Sequence, residues 1–402
     1  MAEAAPERVH DLLIVGAGPV GLALALALRD SGLDIVLADA RPREAVSHDP
    51  RDLALAHGSR LTLQRLGVWD GLPVTAIEHI HISHEGGLGR TLIDADEHEL
   101  PALGYVVSAG ALAAALRQAV DAAGIPVLDE TEVAHLAPGA DDVIASLAGP
   151  GKPAATLRAR LAACAEGGLR ADDKDVVERD YGQHALIAQV EVAGGHRHTA
   201  FERFTREGPV ALLPRADGYA LVHVARPETA DALLALDDAA YLARLQGHLG
   251  NRVRLTGVAP RLRYPLALRY RKTAVGERTV WLGNAAQTLH PVAGQGFNLA
   301  LRDVWALADT LLRQCVDAAP AEPAGRAPAD PGRAEVLAAY ARSRGLDRLG
   351  AIRFTDTLVR VFSNDLAPLR HARGAALLAL DLLPPLRNFV ARRMMFGARA
   401  WP

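Results

Sequence analysis

Cysteine and aromatic residues are scarce in this chain of 402 residues: it has 2 cysteines, and Phe, Trp and Tyr together make up 4%. Two thiols, Cys164 and Cys315, cannot form the disulfide framework of a small secreted domain. Each sits among apolar neighbours, which implies buried, reduced cysteines and a cytoplasmic protein. A charge excess of either sign is also missing, since 44 basic side chains face 47 acidic ones for a formal net charge of -3. That balance excludes nucleic acid as a partner, because displacing counterions from a phosphate backbone needs a basic surplus. Local basic clusters remain, notably Arg387, Arg392 and Arg393. Long apolar runs are absent too. Pro19 to Leu28 and Ala375 to Leu386 both fall short of the roughly 20 residues that span a bilayer. The first follows Glu3 and Glu7 and contains a glycine near its start, so it reads as a buried helix and not as a secretory leader.

Glycine, by contrast, is plentiful and placed where chemistry needs it. Asp11-Leu12-Leu13-Ile14-Val15 is a short apolar run of the kind that forms a buried parallel strand. It feeds Gly16-Ala17-Gly18-Pro19-Val20-Gly21, and a helical pattern follows through Leu22, Leu24, Leu26 and Leu28. A second strand, Asp34 to Ala38, ends at Asp39, 23 positions beyond Gly16. This βαβ order matches a dinucleotide fingerprint. Gly16 makes the turn, Gly18 lets a pyrophosphate approach the backbone, Gly21 lets helix pack on strand, and Asp39 meets ribose hydroxyls. The fingerprint alone does not separate FAD from NAD.

A second glycine segment, Gly283 to Asp303, makes that separation. Thr279 to Leu282 reads as a strand running into it. Gly294-Gln295-Gly296-Phe297-Asn298 then opens a helix with Leu299, Ala300, Val304, Leu307 and Leu311 at helical spacing. The N-terminus of such a helix offers bare N–H groups to an anion or an electron-rich ring. A whole FAD needs a distant part of the chain to reach its ring; a nicotinamide enzyme does not.

Between these segments the pattern changes. Short alternating runs such as Ile80 to Ser83, Ala185 to Val190 and Ala220 to Val224 predict an antiparallel sheet with one wet face. The resulting fold class is α/β: a Rossmann-like domain over 1–76, 101–178 and 274–316, and an inserted antiparallel-sheet substrate domain over 77–100 and 179–273. A flexible loop is expected over 317–333 and a helical region over 334–402, broken at Pro384-Pro385.

These residues resemble the class A flavoprotein aromatic hydroxylases, and among them the ubiquinone-biosynthesis hydroxylases of the 2-polyprenyl-6-methoxyphenol hydroxylase type. The resemblance covers nearly the whole chain. It includes Arg51-Asp52-Leu53-Ala54-Leu55, Arg179 to Gln183, Phe201-Glu202-Arg203-Phe204-Thr205, Tyr264-Pro265-Leu266, and Thr355-Asp356 through Phe362-Ser363. The Gly283 to Asp303 segment is its most specific part. By resemblance Arg51 reaches the FAD, Arg41 follows the ribose-binding Asp39, Asn284 takes the place of the usual aspartate, and Gly296, Phe297 and Asn298 lie against the flavin through their backbone. The family's Ala-Asp-Gly motif appears here as Ala165-Glu166-Gly167, which puts the contact of Glu166 with FAD or NAD(P)H in question.

The resemblance implies FAD as cofactor, NAD(P)H as electron donor directly or through a partner protein, and O2 and a polyprenylphenol as substrates. The ring would accept oxygen from a flavin C4a-hydroperoxide. Other ubiquinone-synthesis proteins are implied as partners. The C-terminal helices, with Leu377, Leu380, Leu383 and basic Arg392-Arg393, either touch the inner membrane or a partner or pack into the core. Two other readings stay open: another FAD oxidoreductase, such as a prenyl reductase or dehydrogenase, and a non-catalytic FAD-binding scaffold. Two side chains are candidate catalytic groups. His290, before Pro291, either moves a proton or holds the turn; Arg203 faces either the active cavity or solvent. His79, His81 and His84 alternate along one strand without acid or cysteine partners at ligand spacing, so no metal is expected.

Overall fold

The computed structural model describes residues 8–86, 89–151, 153–169, 174–317, 329–362 and 367–397. The first sheet is built on the strand Val9–Val15, with Ala155–Cys164 on one side and Ile35–Ala38 on the other, all parallel. Thr279–Trp281 extends it beyond Ala155–Cys164, and Val127–Leu128 beyond Ile35–Ala38. Alternation explains the apolar run. Leu12 and Ile14 face one cluster with Leu22, Leu24 and Leu301, whereas Leu13 and Val15 face another with Val143 and Ala162. A strand covered on both faces has no polar side, so its sequence shows none.

Helices Pro19–Ala27, Ala109–Ala122 and Gln295–Leu311 supply the first cover. Pro19 starts its helix where no N–H is needed, and Ser108 caps the next by accepting from Ala111 N–H. A hairpin of Glu132–Pro138 and Val143–Ala148 joins the edge of Ala155–Cys164.

A second sheet has nine strands, mostly antiparallel; Thr199–Phe204 runs parallel to His79–His84. The expected strands fall within His79–His84, Val176–Ala193 and Gly218–Ala225. The sheet also takes in the short strand Gln287–Thr288 from the second glycine segment. The stretch also holds two helices that the alternating runs do not announce. Helices Pro227–Ala235 and Asp238–Leu249 cover the sheet's back, where Leu233, Tyr241, Leu245 and Leu249 pack on Leu186, Leu212 and Leu221. Asp237 caps the second helix by accepting from Ala240 N–H at 2.7 Å.

Helices Ala334–Phe362, Ala367–Leu382 and Pro384–Phe396 follow. The break precedes the proline pair: Pro384 opens the last helix in the same way as Pro19. Of the loop expected over 317–333, positions 318–328 lie outside the described residues, as do 363–366 and 398–402. The described end of that expected loop is instead anchored, with Asp330 paired to Arg278 at 2.8 Å and Ala329 N–H bonded to the Cys315 carbonyl. No single helix among the described residues is long and apolar enough to cross a membrane. Arg373–Leu382 and Pro384–Phe396 qualify only as a pair, bent by 100°.

Candidate cofactor and substrate cleft

Gly16 ends its strand at φ 103°, a backbone shape open to glycine, and a Cβ there would lie 2.9 Å from the Glu166 nitrogen. At Gly21 a Cβ would sit 2.0 Å from the Gly16 carbonyl oxygen, so only glycine lets this helix rest on its own turn. Asp39 is buried and accepts from Ala17 N–H at 2.7 Å, and its oxygens take Arg41 Nε and Nη2 at 3.0 and 2.9 Å. Burial works against its charge, but the Arg41 bonds and the Ala17 N–H prevail and hold the carboxyl below its ordinary value. The helix after Gly18 has no side chain capping its first turn. Those N–H groups are left for an anion.

The second turn is built alike. Gly283 and Gly294 both adopt positive φ, 56° and 59°, and the helix Gln295–Leu311 also lacks a side-chain cap. Gly296 is exposed, and a Cβ on it would meet nothing within 4 Å. Asn298 is fully engaged with protein. Its oxygen accepts from Ala56 N–H at 2.8 Å and Ser59 Oγ at 2.6 Å, while its nitrogen donates to the Ala54 and Gly294 carbonyls. Any ligand contact from Asn298 is therefore left to its backbone. Gln295 is buried and donates to the Met394 carbonyl at 3.3 Å.

Both turns open into one cleft of about 690 Å³, lined by Gly18, Arg41 and Arg51 near the first and by Asn284, Gly294, Gly296 and Phe297 near the second. Ala165 and Gly167 also line it, while the Glu166 side chain is exposed outside the lining. Arg51 is clamped to Asp49, with Nε and Nη2 at 2.9 and 2.6 Å from its oxygens. Across the cleft the second sheet presents Ala185, Ile187, Leu213, Val222 and Leu266, an apolar floor. Uncapped helix ends, arginines and a bare glycine edge at one end, and apolar surface at the other, fit a dinucleotide with a flat ring and a greasy substrate beside it.

The two catalytic candidates fare differently from that pairing. His290 is 1% exposed, its Nδ1 accepts from Val292 N–H at 3.1 Å, and its ring meets Tyr181 edge-on. It does not line the cleft, and burial pushes its pKa down to about 4, leaving a neutral imidazole that holds the turn. Arg203 needs correction as a cavity residue. Strand alternation puts it with Phe201 on the sheet's other face, where it lines a separate pocket.

Sequence reasoning passed over the residue between them. Glu202 stands opposite Ala211, which stands opposite Val222, then Ile187 and Leu262, so all share the cleft-side face. Its Oε1 is buried without a hydrogen-bond partner, and burial raises its pKa from 4.5 to about 7. A carboxyl raised in the folded state adds stability that is complete below about pH 4.5 and lost as pH climbs through 7. Across that window the wild type should thus lose up to about 3 kcal/mol relative to Glu202→Gln, at roughly 1.4 kcal/mol per pKa unit. The comparison cancels buried histidines such as His290 and His223, whose lowered pKa values act with the opposite sign. Denaturant titration of both proteins across the window measures the difference; parallel profiles would refute the assignment.

Sequence reasoning also missed a buried polar network behind the second turn. Asp303, 1% exposed, accepts from Arg344 Nε at 2.7 Å and Gln287 Nε2 at 2.8 Å. Gln287 Oε1 in turn accepts from Arg348 Nε at 2.6 Å. The signal was an aspartate between apolar Leu301 and Val304 on a helix face that must be buried.

The family described as FAD binding domain matches residues 10–322. Ubiquinone hydroxylase UbiL of Rhodospirillum rubrum is 33% identical, over 98% of this chain and 92% of its own length. The 3-demethoxyubiquinol 3-hydroxylase of Escherichia coli is 30% identical, over 92% of this chain and 94% of its own. Among solved structures, p-nitrophenol 4-monooxygenase PnpA from Pseudomonas putida superposes with a TM-score of 0.75 at 17% identity, covering 98% of this chain and all of that one. That likeness concerns the fold.

Proposed function

This chain belongs to the FAD-binding family of flavoprotein monooxygenases that includes the ubiquinone hydroxylases, and we propose that it hydroxylates the ring of a polyprenylated phenol in ubiquinone synthesis. The observation that carries this reading is the single cleft joining both glycine turns to the apolar floor of the second sheet. FAD bound there supplies the redox chemistry and the activation of O2, with NAD(P)H as the electron source.

The chain's own part is binding, orientation and exclusion of water. Gly18 and the helix behind it take the pyrophosphate, while Arg41 and Asp39 stand at the ribose. Gly294 to Asn298 bring backbone N–H groups and the positive end of a helix to the ring, which favours negative charge on it. Ile187, Leu213, Val222 and Leu266 hold the aromatic substrate in a dry pocket, where water does not compete. No side-chain nucleophile is required. The apolar Leu382, Leu383, Leu386 and Phe389, exposed on the last two helices and at the joint between them, are where the protein would touch the membrane that carries the prenyl chain.

The test is direct. Purified protein should show a flavin absorbance band, and should couple oxygen consumption to a hydroxylated polyprenylphenol. A flavoprotein that reduces or dehydrogenates this substrate without incorporating oxygen would replace this reading by that of a reductase. Profiling of quinone intermediates in a deletion strain would name the ring position.

A further inference from the structure

Beside the hairpin that joins His79–His84 to Arg90–Asp94 lies a second, more open cavity of about 450 Å³. Its wall includes Arg90, Arg203, Arg252 and Ser83, with Leu378 and Asp381 from the helix Ala367–Leu382. The arginines lack carboxylates of their own. Among the described residues Arg90 makes no ion pair, and Arg252 donates to the Leu249 carbonyl at 3.2 Å. Arg203 donates to Ser83 Oγ at 3.1 Å, and its Nε is buried without a partner. Glu85, the carboxylate beside Arg203, is engaged by His248 at 3.0 Å. Asp381 is the one acid in the wall among the described residues.

Three guanidinium groups around one cavity repel one another, and a half-buried arginine with an unmade hydrogen bond is costly. Burial and the charge of Arg252 together pull the Arg203 guanidinium below its ordinary pKa, the direction expected where positive charge is uncompensated. A tetrahedral oxyanion would reverse both penalties, because guanidinium forks match phosphate oxygens two at a time and Ser83 is placed to donate as well.

We propose that the Arg90–Arg203–Arg252 pocket is a binding site for a phosphate group, distinct from the cofactor cleft and on the opposite face of the second sheet. The phosphate belongs either to a free phosphate or to a phospholipid headgroup. Leu378 in the wall and exposed Leu382 one turn along the same helix would lie against the acyl chains in the second case.

Two binding measurements on the full chain with FAD bound test the proposal and tell these sources apart. In one, inorganic phosphate is titrated at constant ionic strength against chloride. In the other, the protein is sedimented with phosphatidylcholine vesicles with and without phosphatidylglycerol. The variants are Arg90→Glu and Arg252→Glu, both exposed, with exposed Arg254→Glu, outside the pocket wall, as the control for bulk charge. Either pocket variant should weaken binding about tenfold or more in the arm that shows it, while the control changes it little and flavin content stays constant. Binding in neither arm, or an equal loss with Arg254→Glu, would overturn the site.

Discussion

Gly296→Trp is expected to give a folded protein that purifies without flavin. The reason is the direction of the missing side chain. A Cβ at Gly296 meets no atom within 4 Å because it points into the cleft, so an indole is accommodated by the protein but occupies the ring's place. The circular dichroism spectrum and the apoprotein unfolding midpoint should match the wild type, while FAD affinity falls by two orders of magnitude or so, roughly 3 kcal/mol. Gly21→Val is the contrasting change. Its Cβ would fall 2.0 Å from the Gly16 oxygen, so that variant loses the strand-helix packing itself and should express as insoluble protein. Equal flavin content in Gly296→Trp and wild type would place the flavin ring elsewhere and remove the main support for the cleft as an oxygenation site.

These two glycines also mark what can be read from a sequence. Gly16, Gly18 and Gly21 announce themselves because strand, turn and helix are contiguous, and every constraint on them is local. Gly294 and Gly296 are readable for the same reason. That the two turns open into one cleft is tertiary, and only resemblance to a whole family implies it from sequence. Arg203 and Glu202 show the opposite case. Adjacent strand residues point to opposite faces, yet which face meets the cleft depends on register against Ala211 and Val222, and no local signal fixes that phase. The helices Pro227–Ala235 and Asp238–Leu249 were legible in principle. Asp237 is a sound cap, and Tyr241, Leu245 and Leu249 recur at intervals of four. The alternating strands on either side of them masked that period.

The buried network behind the second turn leads to a large stability effect that can be measured in soluble protein. Asp303→Ala removes the carboxylate that Arg344 and Gln287 both bond, and both are buried. Arg344 would keep Asp347, 2.8 Å from its Nη1, but that carboxylate is already shared with Arg302 at 2.9 Å. The Gln287 amide would lose its acceptor, and its hold on Arg348 would slacken. Leaving a buried charge short of its partner costs about 3–5 kcal/mol. Asp303→Asn keeps the shape and one acceptor, so a smaller loss of about 1–3 kcal/mol is expected. The effect should also reach the flavin, because Gln287 lies between the Gly283 and Gly294 turns and pairs its strand with Arg269 and Tyr270. Urea unfolding of apoprotein and FAD-loaded protein separates the two consequences. Asp303→Ala should lower both midpoints and shrink the gap between them, because a turn held less firmly binds its cofactor less well. A loss below about 1 kcal/mol would mean that Arg344 and Gln287 find other partners at little cost, and that the aspartate ending the glycine segment is not what holds it.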